Sequence, residues 1–478
     1  MNTDPSIPTS VVDNRQKWLV LVTVATSVLL PTIDGSIVNV AFPTLVQELD
    51  TTFNIIQWVA LGYLLTIATF TLGMGRLGDV VGKKKIYVYG FGVFTAASLL
   101  CGLAPQVEWL ITFRVVQGIG AVMVLALGSA ILVEAFPDHE RGKALGWIVT
   151  AVSVGIITGP VLGGILISAW NWRAIFLVNL PVGIVGTWMA IRFVPDTRPA
   201  PGQKFDLLGA LLMGLSLFSL SLALTLGQES GFSSSLVLSG FGVAIATAIA
   251  FVIVELRADS PMLQLRLFKN PGLTVGVVTG IMTFICLTAT FLLLPFYLSE
   301  VLGMEVLAMG FLLGVTPLMM GVVSPISGTL SDRSGVRAPA VAGLLILSAV
   351  YFAFLSLDVD TAWWHFAALA VPYGIGIGLF QSPTNSAIMG SVPAEYMGVA
   401  GGLLHLTRLM GQVVGIAVLG SIWAARVAVA NGGTLPAGGA TAAPGPAQVA
   451  GLHTVFIIAG VIMVVAAAIA GWGLRSER

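Results

Sequence analysis

The sequence predicts an all-α polytopic membrane protein, built from two six-helix bundles with two extra transmembrane helices inserted between them. Three observations predict this fold: apolar runs of about 20 residues recur along the chain, basic residues collect at alternate ends of the runs, and one short charged pattern occurs twice. Of the 478 residues, 56% are hydrophobic and 9% are charged. A water-soluble domain cannot bury so much apolar surface.

The apolar runs, taken in order, predict fourteen membrane-spanning helices. Their approximate bounds are 18–41, 55–75, 86–104, 109–134, 143–168, 174–194, 207–227, 235–256, 273–299, 306–329, 338–357, 363–387, 397–424 and 452–474. These bounds give a cytoplasmic N-terminus (1–17), an N-terminal bundle (18–194), two extra helices with flanking cytoplasmic loops (195–272), a C-terminal bundle (273–474) and a cytoplasmic tail (475–478).

Basic residues orient the chain, because Lys and Arg collect in cytoplasmic loops. Of the 22 basic residues, 18 fall in the termini or in loops on the same side, and only Arg173 and Arg426 fall on the other side. Both termini are therefore expected in the cytoplasm. The zero net charge gives no sign of a nucleic-acid partner. The two cysteines lie in apolar runs, so neither a disulfide framework nor a thiolate metal site is predicted, and no cofactor is expected.

A glycine-rich pattern follows the second predicted helix and recurs after the tenth. Gly75-x-Leu77-x-Asp79-x-x-Gly82-x-Lys84 matches Gly328-x-Leu330-x-Asp332-x-x-Gly335-x-Arg337, with every pair 253 residues apart. The repeat indicates two homologous halves.

The two turns are predicted to act as a cytoplasmic latch, since the aspartates can accept backbone N–H bonds and the cations can pair with carboxylates on other helices. The latch residues are Gly75, Gly78, Asp79, Gly82, Lys83, Glu134, Gly328, Asp332, Gly335 and Arg337, with Glu134 the expected partner of Lys83. The alternative is a basic anchor that only fixes topology.

The sequence resembles the major facilitator superfamily, in its drug:proton antiporter branch with fourteen helices. The glycine-rich loop, "RVVQGIGA" (114–121) and "GIITGPVLGG" (155–164) match superfamily motifs of the second, fourth and fifth helices. "DGSIVNVAFP" (34–43), "NWRAIFLVNLPVG" (171–183), "FDLLG" (205–209), "LRLF" (265–268) and "RLMGQVVGIAVLG" (408–420) resemble the fourteen-helix branch. The resemblance implies a major facilitator fold, a bacterial inner membrane location and no enzymatic activity.

Charged residues inside the membrane are costly and are functional candidates. Asp34 is the only acidic residue deep in a predicted span, about 24 Å along the first helix. It suits a proton carrier or a docking point for a cationic substrate, and the alternative is a structural carboxylate. Arg114 is close enough to a helix end to reach the interface; its resemblance to the fourth-helix motif implies proton coupling, with Gln117 on the same face.

Two further polar residues lie inside the thirteenth helix. His405 can titrate near neutral pH, and Arg408 follows it by one helical turn. Each is a candidate for coupling or for the cavity, and for both residues a structural role stays open.

The fifth helix carries Gly155, Gly159, Gly163 and Gly164 around Pro160. Small residues allow helices to approach closely. The resemblance implies an antiporter motif found mainly in exporters, which would seal the resting cavity against leak. The alternative is an ordinary helix contact.

Candidate residues for the cavity wall can be chosen from the helices that line the cavity in the superfamily. The candidates are Asn39, Phe284, Phe291, Tyr297, Tyr373, Gln381 and Asn385. An apolar, aromatic wall with few polar groups suits amphipathic organic compounds. The spans after residue 270 lack mid-membrane acids, which argues against divalent cations and leaves monovalent cationic or neutral compounds.

The sequence therefore predicts a proton-coupled exporter of amphipathic organic compounds that works as a monomer by alternating access. The expected partners are the small-molecule substrate, protons and the lipid bilayer. A proton-driven importer and a non-transporting receptor or scaffold on the same fold are the alternatives.

Overall fold

The computed structural model describes residues 14–196, 207–258, 265–391, 397–436 and 438–473, and these residues are mainly α-helical without a β-strand. The N-terminal half contains α1 (Asn14–Glu48), α2 (Phe53–Val81), α3 (Lys83–Gly102), α4 (Val107–Ala135), α5 (Asp138–Ala169), α6 (Ala174–Leu177) and α7 (Asn179–Phe193). The predicted tail 475–478 and most of the segment 1–17 lie outside the described residues.

The second half follows two intervening helices. These are α8 (Leu207–Ser230) and α9 (Ser235–Arg257). The C-terminal helices are α10 (Pro271–Phe296), α11 (Val306–Ser334), α12 (Arg337–Ala353), α13 (Trp363–Gly390), α14 (Met397–Val414), α15 (Gly420–Ala430) and α16 (Gly445–Gly473).

The helices match the predicted membrane spans. Within the described residues, thirteen helices are long and apolar enough to cross a membrane, and α8 adds a shorter apolar stretch, Leu211–Gly227. The sixth predicted span is divided into α6 and α7, and the thirteenth consists of α14 and α15 joined by the π-helical segment Gly415–Leu419. The all-α polytopic fold predicted from the sequence is confirmed.

The two halves share the local structure of the repeated turn. Gly82 ends α2 with φ +109° and Gly335 ends α11 with φ +81°, backbone conformations that favour glycine. The Gly82 N–H donates to the Gly78 carbonyl at 2.9 Å, and the Gly335 N–H donates to the Ser331 carbonyl at 2.9 Å. Residues 78 and 331 are again 253 apart, so the sequence repeat corresponds to a repeat of the helix-ending geometry.

The halves meet through α1 with α10, α2 with α14, and α5 with α11. The two intervening helices pack against each other, and α8 also contacts α2 and α15. Apolar side chains of α9 such as Leu236, Ile245 and Leu256 are exposed, as expected for a helix in contact with lipid.

The outer ends of the two halves are closed by aromatic packing. The ring of Phe53 on α2 lies 4.7 Å from that of Trp423 and 5.5 Å from that of Phe296, on α15 and α10 of the other half. Farther out, Gln47 Nε2 donates a 2.9 Å hydrogen bond to Glu300 Oε1. The two halves are therefore in contact at their outer ends.

Candidate functional site

The functional site is built around the buried carboxylate of Asp34. One of its oxygens, Oδ2, accepts a hydrogen bond from Arg114 Nη1, and the two side chains form an ion pair. The other oxygen, Oδ1, accepts from Gln117 Nε2 at 2.9 Å and from Asn179 Nδ2 at 2.7 Å. Three helices, α1, α4 and α7, thus meet at one carboxylate.

Arg114 is held on several sides inside the N-terminal bundle. Its side chain is 1% exposed, its Nε donates to the Val59 carbonyl at 3.1 Å, and its Nη1 also donates to Gln117 Oε1 at 2.6 Å. The guanidinium lies 4.1 Å from the centre of the Tyr63 ring, a cation–π distance. Arg114 therefore does not extend to the membrane interface, which was the alternative that its sequence position left open.

Glycines of α4 bring the neighbouring helices close enough to form this network. A Cβ added at Gly118 would lie 2.9 Å from Thr66 Cβ and 3.0 Å from the Tyr63 carbonyl oxygen, both on α2. A Cβ at Gly120 would lie 2.4 Å from the Phe94 backbone nitrogen on α3. The glycines of "QGIG" therefore let α4 approach α2 and α3.

Two members of the network were missed by the sequence analysis. Asn179 begins α7 and binds Asp34, and Ser98 of α3 accepts a 2.8 Å hydrogen bond from Gln117 Nε2. Asn179 carried a usable signal, since it is a polar residue inside an apolar span. Ser98 carried none, because a serine in a membrane helix commonly donates to its own backbone, as Ser98 does to the Phe94 carbonyl.

A cavity of about 930 Å³ lies between the two halves. Its wall includes Gly35 and Ser36, the two residues after Asp34, together with Arg114 and Tyr63. It extends toward the cytoplasmic ends of the helices, where Val28, Ala130, Ile148 and Met389 contribute. The cavity therefore extends toward the side that carries the two glycine-rich turns, which the sequence predicts to be cytoplasmic.

Several predicted residues line this cavity. They are Asn39, Phe284, Phe291, Gln381, His405, Arg408 and Pro160. The wall is predominantly apolar and its volume falls within the range of drug-sized binding sites.

Three residues that were predicted to line the cavity are not part of its wall in the structure. Tyr297 is buried and its hydroxyl donates to the Asp358 carbonyl at 2.7 Å. Tyr373 is buried behind the wall, with its hydroxyl 2.8 Å from that of Tyr351. Asn385 is exposed near the cytoplasmic end of α13 and does not contribute to the cavity wall. Helical spacing placed these residues on the correct helices but could not show which face is turned to the cavity.

The α5 glycines divide between two neighbouring helices. A Cβ at Gly155 would lie 2.9 Å from Thr32 Cβ, one at Gly159 1.9 Å from Ser36 Oγ, and one at Gly163 2.9 Å from Ile37 Cγ1. These three glycines pack on α1 of the same half, where Ser36 Oγ also donates to the Gly155 carbonyl at 3.1 Å. Gly164 instead packs on α11, with its added Cβ 3.0 Å from the Val306 carbonyl oxygen.

The predicted latch residues surround the two cytoplasmic turns. Lys83 at the start of α3 is ion-paired with Glu134 near the end of α4, so this pair lies within one half. A Cβ at Gly78 would lie 2.3 Å from Leu127 Cδ2, and one at Gly328 3.1 Å from Ser382 Oγ. Arg337 is exposed at the start of α12. Gly75, Asp79 and Asp332 lie in helices, but their side-chain positions are outside the described part of the chain. The latch role stays a prediction.

One family model matches most of the chain. The family model described as Major Facilitator Superfamily matches residues 24–416. The chain belongs to the Major Facilitator Superfamily. It is therefore a multi-pass membrane transporter and not an enzyme, as the sequence predicted, and its bacterial relatives place it in the inner membrane.

Individual members of the superfamily resemble the chain over most of its length. It is 33% identical to a riboflavin transporter of Clostridioides difficile over 86% of this chain and 89% of that protein. It is 32% identical to a multidrug resistance protein of Mycobacterium tuberculosis over 86% of this chain and 77% of that protein. The crystal structure of a bacterial homologue of the lysosomal transporter Spinster has the same fold, with a TM-score of 0.69, 19% identity and coverage of 97% and 98%.

Proposed function

We propose that the protein exports amphipathic organic compounds in exchange for protons by alternating access. The observation that carries the proposal is the position of the buried Asp34–Arg114 ion pair at a large, mainly apolar cavity: Arg114 belongs to the cavity wall, and Asp34 is paired with it from behind that wall. The cavity offers a site for the compound, and the carboxylate offers a site for the proton. A carboxylate inside the membrane is costly and is rarely kept without a use.

The network connects the proton site to the helix that shapes the cavity. Protonation of the Asp34 carboxylate removes its negative charge and weakens its attraction to Arg114, so the link between α1 and α4 loosens. The next residues of α1, Gly35 and Ser36, line the cavity, and Ser36 is hydrogen-bonded to α5. A change in the position of α1 is therefore transmitted both to the cavity wall and to the helix that contacts the opposite half.

Export is favoured over import by two observations. The relative from Mycobacterium tuberculosis is named a multidrug resistance protein, and resistance by a transporter requires removal of the compound from the cell. Gly164 of α5 also forms a tight outer contact with α11, which suits a carrier that must not leak protons when its cavity faces the cytoplasm.

Flux in inverted membrane vesicles tests the proposal. The vesicle interior is made acidic, and uptake of a panel of fluorescent amphipathic dyes is followed with and without nigericin, which dissipates the pH gradient. A proton-coupled exporter accumulates dye in the vesicles, and nigericin abolishes the accumulation. A proton-driven importer would release preloaded dye under the same gradient, and a scaffold would show no gradient-dependent flux; either result would contradict the proposal.

A further inference from the structure

The charges on the cavity wall are unbalanced. Among the described residues, its charged or basic side chains are Arg114, Arg408 and His405, and none of the described wall residues carries a carboxylate. The charge of Arg114 is neutralised by Asp34, whose two oxygens are occupied by donors from the protein. Arg408 is therefore the uncompensated charge that faces the cavity.

Arg408 has no protein counterion among the described residues. Its guanidinium lies 5.7 Å from the centre of the Phe284 ring, and no hydrogen bond or ion pair to the described chain accompanies this contact. A guanidinium carries five N–H donors, and an unpaired charge within a membrane protein is costly. The side chain is thus placed as a binding group whose partner is not part of the described chain.

The neighbouring polar groups extend the same polar patch. His405 lies one turn before Arg408 on α14, and its buried Nε2 has no hydrogen-bond partner. Gln412 lies one turn after Arg408, and all three side chains line the cavity. Residues three or four apart on a helix share one face, so histidine, arginine and glutamine form a polar stripe between apolar walls.

We infer that the transported compound is an amphipathic organic anion, whose acidic group binds Arg408 and whose apolar body packs against Phe284 and Phe291. A carboxylate or sulfonate matches the fork of guanidinium donors and supplies the missing negative charge. A cationic compound would meet a positive wall with no carboxylate available to it. The inference rests on the proposed transport function and names its substrate class, and it differs from the cationic or neutral compounds expected from the sequence.

The experiment compares two xanthene dyes of similar shape and opposite charge, anionic fluorescein and cationic rhodamine 123. Binding to the purified full-length protein in a neutral detergent is measured by fluorescence anisotropy, without a proton gradient. The wild-type protein is expected to bind fluorescein about tenfold or more tightly than rhodamine 123, since a charge-assisted hydrogen bond contributes on that scale.

Matched variants assign the preference to one side chain. Arg408→Gln should lose about tenfold or more in fluorescein affinity and leave rhodamine binding unchanged or stronger, while Arg408→Lys, which keeps the charge, should stay within a few-fold of wild type. Arg426→Gln is the control, because Arg426 is exposed on α15 outside the cavity. Size-exclusion chromatography establishes that each variant is folded.

The outcomes separate this inference from the proposed function. Equal binding of the two dyes, a preference for rhodamine 123, no binding of either dye, or an Arg408→Gln variant with wild-type fluorescein affinity would overturn the inference. None of these results depends on proton coupling, so the gradient-driven flux assay remains an independent test of the proposed function.

Discussion

Gly164 of α5 and Gly310 of α11 pack backbone against backbone across the boundary between the two halves. A Cβ added at Gly164 would lie 3.3 Å from Gly310 Cα, and one added at Gly310 would lie 3.1 Å from Gly164 Cα and 2.6 Å from the Pro160 carbonyl oxygen. The other α5 glycines contact α1, so this pair is where the α5 glycine motif touches the opposite half. The contact closes the outer side beside the aromatic cluster.

A leucine at Gly310 is expected to separate α5 from α11, because the backbone of α5 cannot yield to a side chain at this distance. Gly310→Leu should therefore let protons leak without substrate. Leak is measured as the collapse of an imposed pH gradient in proteoliposomes, and it should be several-fold faster than in the wild-type protein.

The control for this variant is Gly242→Leu in α9, where an added Cβ meets no atom within 4 Å. It should keep the wild-type rate of gradient collapse. A wild-type rate of gradient collapse in folded Gly310→Leu would show that the glycine contact does not seal the cavity. Gly159→Leu, by contrast, should disturb the contact of α5 with Ser36 of α1, which lies inside one half.

Asn179→Leu removes one of the two amide donors that bind Asp34 Oδ1. Loss of a hydrogen bond to a buried charged group costs about 1–3 kcal/mol, so the thermal midpoint of the purified protein should fall. Gradient-driven transport should also fall, because Asp34 is held less firmly. The control is Asn431→Ala, which removes a hydrogen bond in an exposed outer turn. An Asn179→Leu protein with unchanged midpoint and transport would contradict a positioning role for Asn179.

Reversal of charge tests the ion pair between Lys83 and Glu134. Lys83→Glu alone places two carboxylates together and should slow turnover, whereas adding Glu134→Lys restores opposite charges and should recover part of the rate. Initial rates of gradient-driven dye uptake in vesicles, corrected for the amount of transporter, provide the measurement. Failure of the double variant to recover any rate would remove the pair from the proposed latch.

The sequence predicted the helices and the repeat well, because both depend on local sequence patterns. Apolar length identifies a span, and the repeated spacing around Gly82 and Gly335 identifies two corresponding turns, at which the structure shows positive φ. Asp34 and Arg114 were also predicted as candidates, since a charge inside an apolar run stands out.

The contacts between helices were not predictable in the same way. The sequence does not show how α1 and α4 are rotated, so the Asp34–Arg114 pair and the donor role of Asn179 appear only in the structure. The same limit explains Tyr297 and Tyr373, which lie on wall helices but contact their own bundle. A regular pattern assigns a residue to a helix, whereas tertiary packing decides which face meets the cavity.

The central claim, that Asp34 carries the proton exchanged for substrate, is tested most directly by Asp34→Asn in reconstituted proteoliposomes. Asparagine can still accept a hydrogen bond from Arg114 but cannot take up and release a proton. Two activities are measured on the same preparation: exchange of labelled for unlabelled substrate without a gradient, and accumulation driven by a pH gradient. The account predicts that exchange is retained and that gradient-driven accumulation is lost. Accumulation at the wild-type level in Asp34→Asn would contradict it.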